Sequence, residues 1–272
     1  MTNILRTVPA MGHYGWKRDL PKANRPKYHV RRPGVTRAPL VDFRTGAYMP
    51  PILDQGQLGS CTANSVAGVI RYLQAKEGCK SIYTPSRLAI YYWERAKEGT
   101  TDQDAGATID DQMYIVKTIG APDERLWPYD VSKFTVKPPE LVEVAAHLDT
   151  VPTEFEIDTG LDGIMDSLEQ GFPVSFGFVV YNSFESAEVA RTGIVPMPNQ
   201  RSWYEFWKSA DYVVGGHAVW ICGYDINKKI VIVANSWGKY WGDNGYFYLP
   251  FDYITDPNLA GPFYSVQMVK QS

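Results

Sequence analysis

Three cysteines and four histidines are the side chains from which this 272-residue chain could build a thiol–imidazole pair. The cysteines are Cys61, Cys79 and Cys222, and the histidines are His13, His29, His147 and His217. Cys61 opens a stretch with apolar residues at 63, 66, 67, 70 and 73, the spacing of a helix with a buried face. Ser60 is placed to cap that helix from just outside its first turn. A thiol at a helix N-terminus sits at the positive end of the macrodipole, which favours the thiolate. The Cys61 pKa is therefore expected below the free value of about 8.5. His217 enters an apolar strand from Gly215-Gly216, and Asn235 ends the next strand. There an amide oxygen could accept from one ring nitrogen and leave the other for the thiol. Singly, a buried Cys is ordinary packing, a His at a strand start is structural, and an Asn is a turn residue. Together, in the order Cys61, His217, Asn235, they argue for nucleophilic catalysis.

The elements that must position these groups fall into two halves. Helices are predicted from Cys61 onward and at 85–97, 108–119 and 160–170, with His147 at a helix end. Strands are predicted at 174–181, 217–224, 230–235, 245–249 and 263–269 from their β-branched and aromatic content. Helices followed by strands, without alternation, imply an α+β fold or two lobes. The expected division is a basic segment over 1–44, a mainly helical lobe with the nucleophile over 45–150, and a β-rich lobe with His217 and Asn235 over 151–272. The aromatic segment 199–213 reads as a loop packed on the β lobe.

Composition bounds the alternatives. Hydrophobic residues make up 44 % and charged residues 21 %, so the body of the chain is neither disordered nor a disulfide-stapled mini-domain. An odd, small cysteine count without a visible signal peptide predicts reduced thiols and a cytoplasmic protein. No apolar run approaches the roughly 18 residues of a membrane span. No Cys-x-x-Cys occurs and the histidines do not cluster, so no metal site is expected. Residues 1–44 carry ten Lys or Arg against Asp19 and Asp42, a net +8; the other 228 residues carry −11. Such an arm could bind nucleic acid or a membrane surface, or dock on its own acidic body. It lacks an aromatic-basic groove pattern, and its five prolines favour an extended strap. Tyr14, Trp16 and Leu20 are its expected anchors.

Three motifs carry a family resemblance. Asp54-Gln55-Gly56-Gln57-Leu58-Gly59-Ser60-Cys61 resembles the active-site entry of papain-family cysteine peptidases, and Gly216-His217-Ala218-Val219 resembles their histidine strand. Asn235-Ser236-Trp237-Gly238 with Trp241-Gly242-Asp243-Asn244-Gly245-Tyr246 resembles their asparagine signature. The resemblance implies a helical left lobe, a β-barrel-like right lobe and a cleft between them. It implies Cys61 as nucleophile, His217 as its base, Asn235 orienting His217, and Gln55 with the Cys61 N–H binding the oxyanion. It further implies Trp237 shielding the Asn235–His217 bond, and Gly106 letting substrate backbone pair along the cleft. Two positions depart from the pattern: Leu58 replaces a disulfide cysteine, and Thr62 replaces the usual Trp. The segment around Gly15-Trp16-Lys17-Arg18-Asp19-Leu20-Pro21 resembles the short inhibitory strap of some bacterial members.

The expected activity is peptide-bond hydrolysis by a monomer with no cofactor, its partners being peptide or protein substrates and its own N-terminal segment. The rival readings are transglutaminase-like acyl transfer, where the third residue is usually Asp rather than Asn, and a catalytically silent peptide-binding protein on the same scaffold.

Overall fold

The structure, a computed structural model, describes residues 14–19, 36–147, 153–157, 160–199 and 210–268. Leu20 and residues 200–209 of the aromatic loop lie outside them. Helix α1 (Cys61–Lys76) is buried nearly all round. It lies against a sheet strand so closely that a Cβ on Gly68 would come within 2.6 Å of Trp220 Nε1. Helices α2 (Arg87–Glu98), α3 (Ile109–Thr118) and α4 (Glu140–Ala146) complete the helical half. The ends of α2 and α3 follow from local chemistry. Ser86 Oγ accepts from the Ala89 N–H, and Gly99 closes α2 in the left-handed region. Thr108 Oγ1 accepts from the Asp111 N–H, with Asp110 and Asp111 at the positive end of α3.

The strands are β1 (Leu40–Asp42), β2 (Thr153–Ile157), β3 (Val174–Tyr181), β4 (Val213–Asp225), β5 (Ile230–Ala234), β6 (Tyr246–Pro250) and β7 (Ala260–Met268). They form one antiparallel sheet in the order β2-β7-β3-β4-β5-β6, with β1 added to β4. Leu40 pairs with Asp225, so residues read from the sequence as the end of the arm belong to the β half. Helices α5 (Leu161–Glu169), α6 (Ala187–Thr192) and α7 (Phe251–Thr255) pack beside it.

Side-chain alternation divides the sheet between two cores. Ala218, Trp220, Cys222, Ile232, Ala234, Tyr264 and Val266 pack with α1 to α4. Val219, Ile221, Val231, Val233, Phe247 and Phe263 pack on the other side with Phe176, Phe178 and Phe184. The α+β architecture is as expected, but the described strands make an open sheet rather than a barrel. The strand order ends at β2 and β6 without pairing them, and the Ala218, Trp220 and Cys222 face of β4 packs on the helices.

Candidate active site

Cys61 is the first residue of α1 and is completely buried. The expected side-chain cap from Ser60 is not made. Tyr129 Oη lies 2.5 Å from Ser60 Oγ, and Asn64 Nδ2 donates to the same hydroxyl at 3.0 Å and to the Ser60 carbonyl at 2.9 Å. A phenol and an amide inside the lobe thus claim the hydroxyl that the helix would otherwise use. The backbone N–H groups of Ala218, Gly15 and Thr62 face the Cys61 sulfur. Ala218 adjoins His217, which lies inside β4 rather than at the strand start expected from the sequence, so β4 and the start of α1 meet here.

His217 is also completely buried. Its Nε2 donates to Asn235 Oδ1 at 2.8 Å, and the Ser236 N–H donates to the same oxygen at 2.8 Å. Two donors on one atom fix the amide's orientation and hence the ring's tautomer. Nδ1 has no hydrogen-bond partner and is the acceptor of the neutral ring. Trp237 stacks on the imidazole at 4.9 Å between centroids and an angle of 30°.

Gln55 is buried among partners from three loops. Ser236 Oγ donates to its Oε1 at 2.6 Å, its Nε2 donates to the Leu58 carbonyl at 2.9 Å, and its backbone N–H donates to the Ser236 carbonyl at 2.8 Å. Tyr129 Oη donates to its backbone carbonyl at 2.9 Å. Ser236 therefore ties Gln55 to Asn235. Sequence reasoning missed both connecting residues. Ser236 stands inside the quoted asparagine motif, but nothing local says that its hydroxyl turns toward Gln55. Tyr129 is 74 residues from Gln55 and carries no local signal.

Residues 14–19 lie across this site. The Gly15 carbonyl accepts from the Ala107 N–H at 2.8 Å, the Lys17 N–H donates to the Ala107 carbonyl at 2.9 Å, and the Trp16 N–H donates to the Gly216 carbonyl at 3.0 Å. The residue whose backbone pairs with the strap is Ala107, next to Gly106. Gly106 is what lets that backbone come close. At φ 69° a Cβ on it would stand 2.0 Å from the Gly15 carbonyl oxygen, so only glycine lets the strap approach. Its N–H donates to Tyr91 Oη at 3.0 Å, and that hydroxyl donates to Asp104, which accepts from the Gly59 N–H. One buried tyrosine in α2 thereby holds both cleft loops.

Both described anchors are seated. The Trp16 ring lies where Gly177 and Gly216 lack side chains, and its Nε1 donates to Asp19 at 3.3 Å. Asp19 in turn accepts from the Asp110 N–H at the start of α3, at 2.6 Å. Tyr14 stands edge-on to His217 and Trp237, at 6.2 and 5.8 Å, and donates to Glu185 at 2.8 Å. Lys17 pairs with Glu98.

With the strap seated, burial reverses the expected electrostatics. Burial pushes the Cys61 thiol up to about 12 and the His217 imidazole down to about 4. The expectation of a depressed thiol pKa therefore fails for the chain in this state. Taking both groups out of water disfavours their charged forms by more than the helix terminus and the nearby N–H groups offset.

A family model described as papain family cysteine protease matches residues 38–255. An uncharacterized peptidase C1-like protein of Acanthamoeba polyphaga mimivirus is 41% identical over 241 residues, 85% of this chain and 75% of the viral one. Rat procathepsin L is 28% identical over 81% of this chain, which spans 62% of that protein's length. Among solved structures, xylellain, a cysteine protease from Xylella fastidiosa, superposes with a TM-score of 0.83 at 30% identity, covering 95% of this chain and 96% of its own. A buried Cys–His–Asn set, a model match across most of the chain and these relatives lead to one conclusion: the chain belongs to the papain family of cysteine proteases.

Proposed function

We propose that Cys61, His217, Asn235 and Gln55 hydrolyse peptide bonds through a thioester, and that residues 14–19 hold the enzyme off until they are displaced. In the open cleft the proton passes from Cys61 Sγ to His217 Nδ1, and the thiolate attacks the carbonyl carbon. The oxyanion is held by the Cys61 N–H and by an N–H of the Gln55 amide, whose plane Ser236 and Leu58 set. His217 gives its proton to the leaving amine, then takes one from the water that cleaves the thioester. Asn235 keeps the ring's other nitrogen protonated throughout. No cofactor enters any of these steps.

The polarity of the strap is the observation that carries the inhibitory half. His217 must stand on the leaving-group side, because it protonates the amine. Tyr14 packs on His217 and Trp237, so the strap begins on the leaving side and runs toward the acyl side at Ala107. A substrate, read from N to C, crosses from the acyl side to the leaving side. The strap therefore fills the cleft backwards and offers Cys61 no productively oriented carbonyl. It also removes the water that the thiolate–imidazolium pair needs.

The test compares the full chain with its Tyr14→Ala/Trp16→Ala form on a peptide mixture under reducing conditions, read by mass spectrometry. The double variant is expected to cleave peptides well above the parent, to lose that activity with Cys61→Ala, and to carry an epoxide inhibitor on Cys61. Equal cleavage by parent and double variant would remove the strap's role, and cleavage that survives Cys61→Ala would remove the mechanism.

A further inference from the structure

Glu185 is a carboxylate placed at the leaving-group side of the cleft, and the chemistry above leaves it without a task. It ends the short 3-10 turn Asn182–Glu185 that follows β3. The preceding residue, Phe184, is buried and wedged against Trp237 at 5.6 Å and Trp241 at 5.4 Å. That wedge makes the turn a rigid extension of the tryptophan wall beside His217. Glu185 itself is only half-buried, and among the described residues its polar partner is the Tyr14 hydroxyl. No Lys or Arg of the described residues neutralises it. Once the strap swings away, a fixed carboxylate faces solvent beside the wall where a leaving-group residue must lie.

We propose that Glu185 selects the substrate residue on the leaving side of the cleaved bond, favouring side chains that carry a hydrogen-bond donor at their tip: arginine, lysine and tyrosine. The inference rests on the peptidase reading above. The strap shows the geometry directly, since Tyr14 reaches Glu185 with its hydroxyl while its ring covers His217 and Trp237. Direction along the backbone matters little for such a contact, because the ring seat and the carboxylate are side-chain sites. A guanidinium or ammonium on a stem of similar length would exchange the neutral hydrogen bond for a charge-assisted one. An acidic residue there would meet a like charge.

The experiment uses the full chain carrying Tyr14→Ala/Trp16→Ala, with and without Glu185→Gln. Internally quenched peptides share one acyl side and differ only in the leaving-side residue: Arg, Lys, Tyr, Phe, Ala or Glu. A peptidyl coumarin amide, which has no leaving-side residue, reports the shared chemistry. With Glu185 present, kcat/KM for Arg and Lys should exceed that for Ala by about fivefold, the size of a half-exposed charge pair. Tyr should exceed Phe, and Glu should be poorest. Glu185→Gln should bring Arg, Lys and Ala within twofold and raise the Glu peptide, with coumarin hydrolysis changed less than twofold. Normal coumarin hydrolysis with an Arg-to-Ala ratio unmoved by Glu185→Gln would overturn this proposal alone. Absence of coumarin hydrolysis in both forms would overturn the peptidase reading and this one with it.

Discussion

Cys61 and Cys222 are both completely buried, and burial raises both thiols, yet the two sites are built differently. Cys222 lies in the middle of β4, packed between the sheet and the helical half, with its thiol donating to the Ile232 carbonyl. Its cover is the hydrophobic core itself. Cys61 is covered by a six-residue piece of chain held through three backbone hydrogen bonds and two aromatic seats. Removing the first cover means unfolding the protein; removing the second means displacing a strap. Reactivity in this fold is thus decided by whether the burial of a thiol is detachable, and burial itself does not distinguish the two.

The most severe break of the comparison is substitution of each thiol. Cys61→Ala is expected to abolish turnover, whereas Cys222→Ala should keep kcat and cost about 1–2 kcal/mol of stability as a small core truncation. Initial rates and urea melts measure the two effects, and loss of kcat in Cys222→Ala with an intact fold would erase the distinction. The next effect concerns buried groups that persist once the strap has gone. Gln55→Ala should lower kcat by about 10²–10³, the usual loss for one oxyanion donor. Ser236→Ala should cost only about five- to tenfold, because it loses a hydrogen bond that orients rather than reacts. A larger loss in Ser236→Ala than in Gln55→Ala would reverse their assigned order.

Alkylation reads the cover itself. Tyr14→Ala/Trp16→Ala should speed iodoacetamide labelling of Cys61 by about 10–100-fold near neutral pH, since exposure restores thiolate character. Cys222 labelling should not change. Peptide mapping after a short pulse measures both sites in one sample, and parallel acceleration at both would mean that the variant loosens the whole fold.

The smallest effect is on pH. With the strap seated, burial holds the His217 pKa at about 4, below its ordinary 6.5, so the share of that burial that Tyr14 supplies favours docking above 6.5 and is lost as pH falls toward 4. Docking raises the Asp19 pKa from 3.8 to about 7, through burial and the neighbouring Asp110, so its contribution is full below 3.8 and is lost as pH rises to 7. The two oppose each other across one window. The parent chain should therefore show a shallow dependence of Cys61 accessibility between pH 4 and 7. Asp19→Asn should leave only the histidine's dependence, giving labelling relative to the open variant that rises a few-fold as pH falls. A flat profile in Asp19→Asn would show that His217 does not report on the strap.

Much of this was legible in the sequence because it is written in short-range patterns. The apolar spacing after Cys61 marked α1, and β3 was read to the residue from its β-branched and aromatic run. Gly215-Gly216 before His217, and Asn235 directly after β5, identified groups that one hairpin brings together. The missed parts are contacts of long sequence separation. β2 alternates Phe155 and Ile157 with Glu154 and Glu156, but five residues after a proline are too short a pattern to mark a strand without β7 beside it. Ser236 meets Gln55 across 181 residues, and Tyr14 meets Glu185 across 171. Ser60 looked like a cap until Tyr129 arrived from another loop.

What the sequence determined by itself is chemistry and order: a thiol at a helix start, an imidazole and an amide on successive strands, and a basic, proline-rich arm ahead of an acidic body. These follow from residue type and local period, which act within a few residues. What only the tertiary structure decided is the state of that chemistry. Charge on a thiol or an imidazole depends on how much water reaches it, and water access is a property of everything packed around the group. The burial of Cys61 and His217, the strap that lies over them, and the contact it makes with Glu185 arise only when distant segments share one cleft.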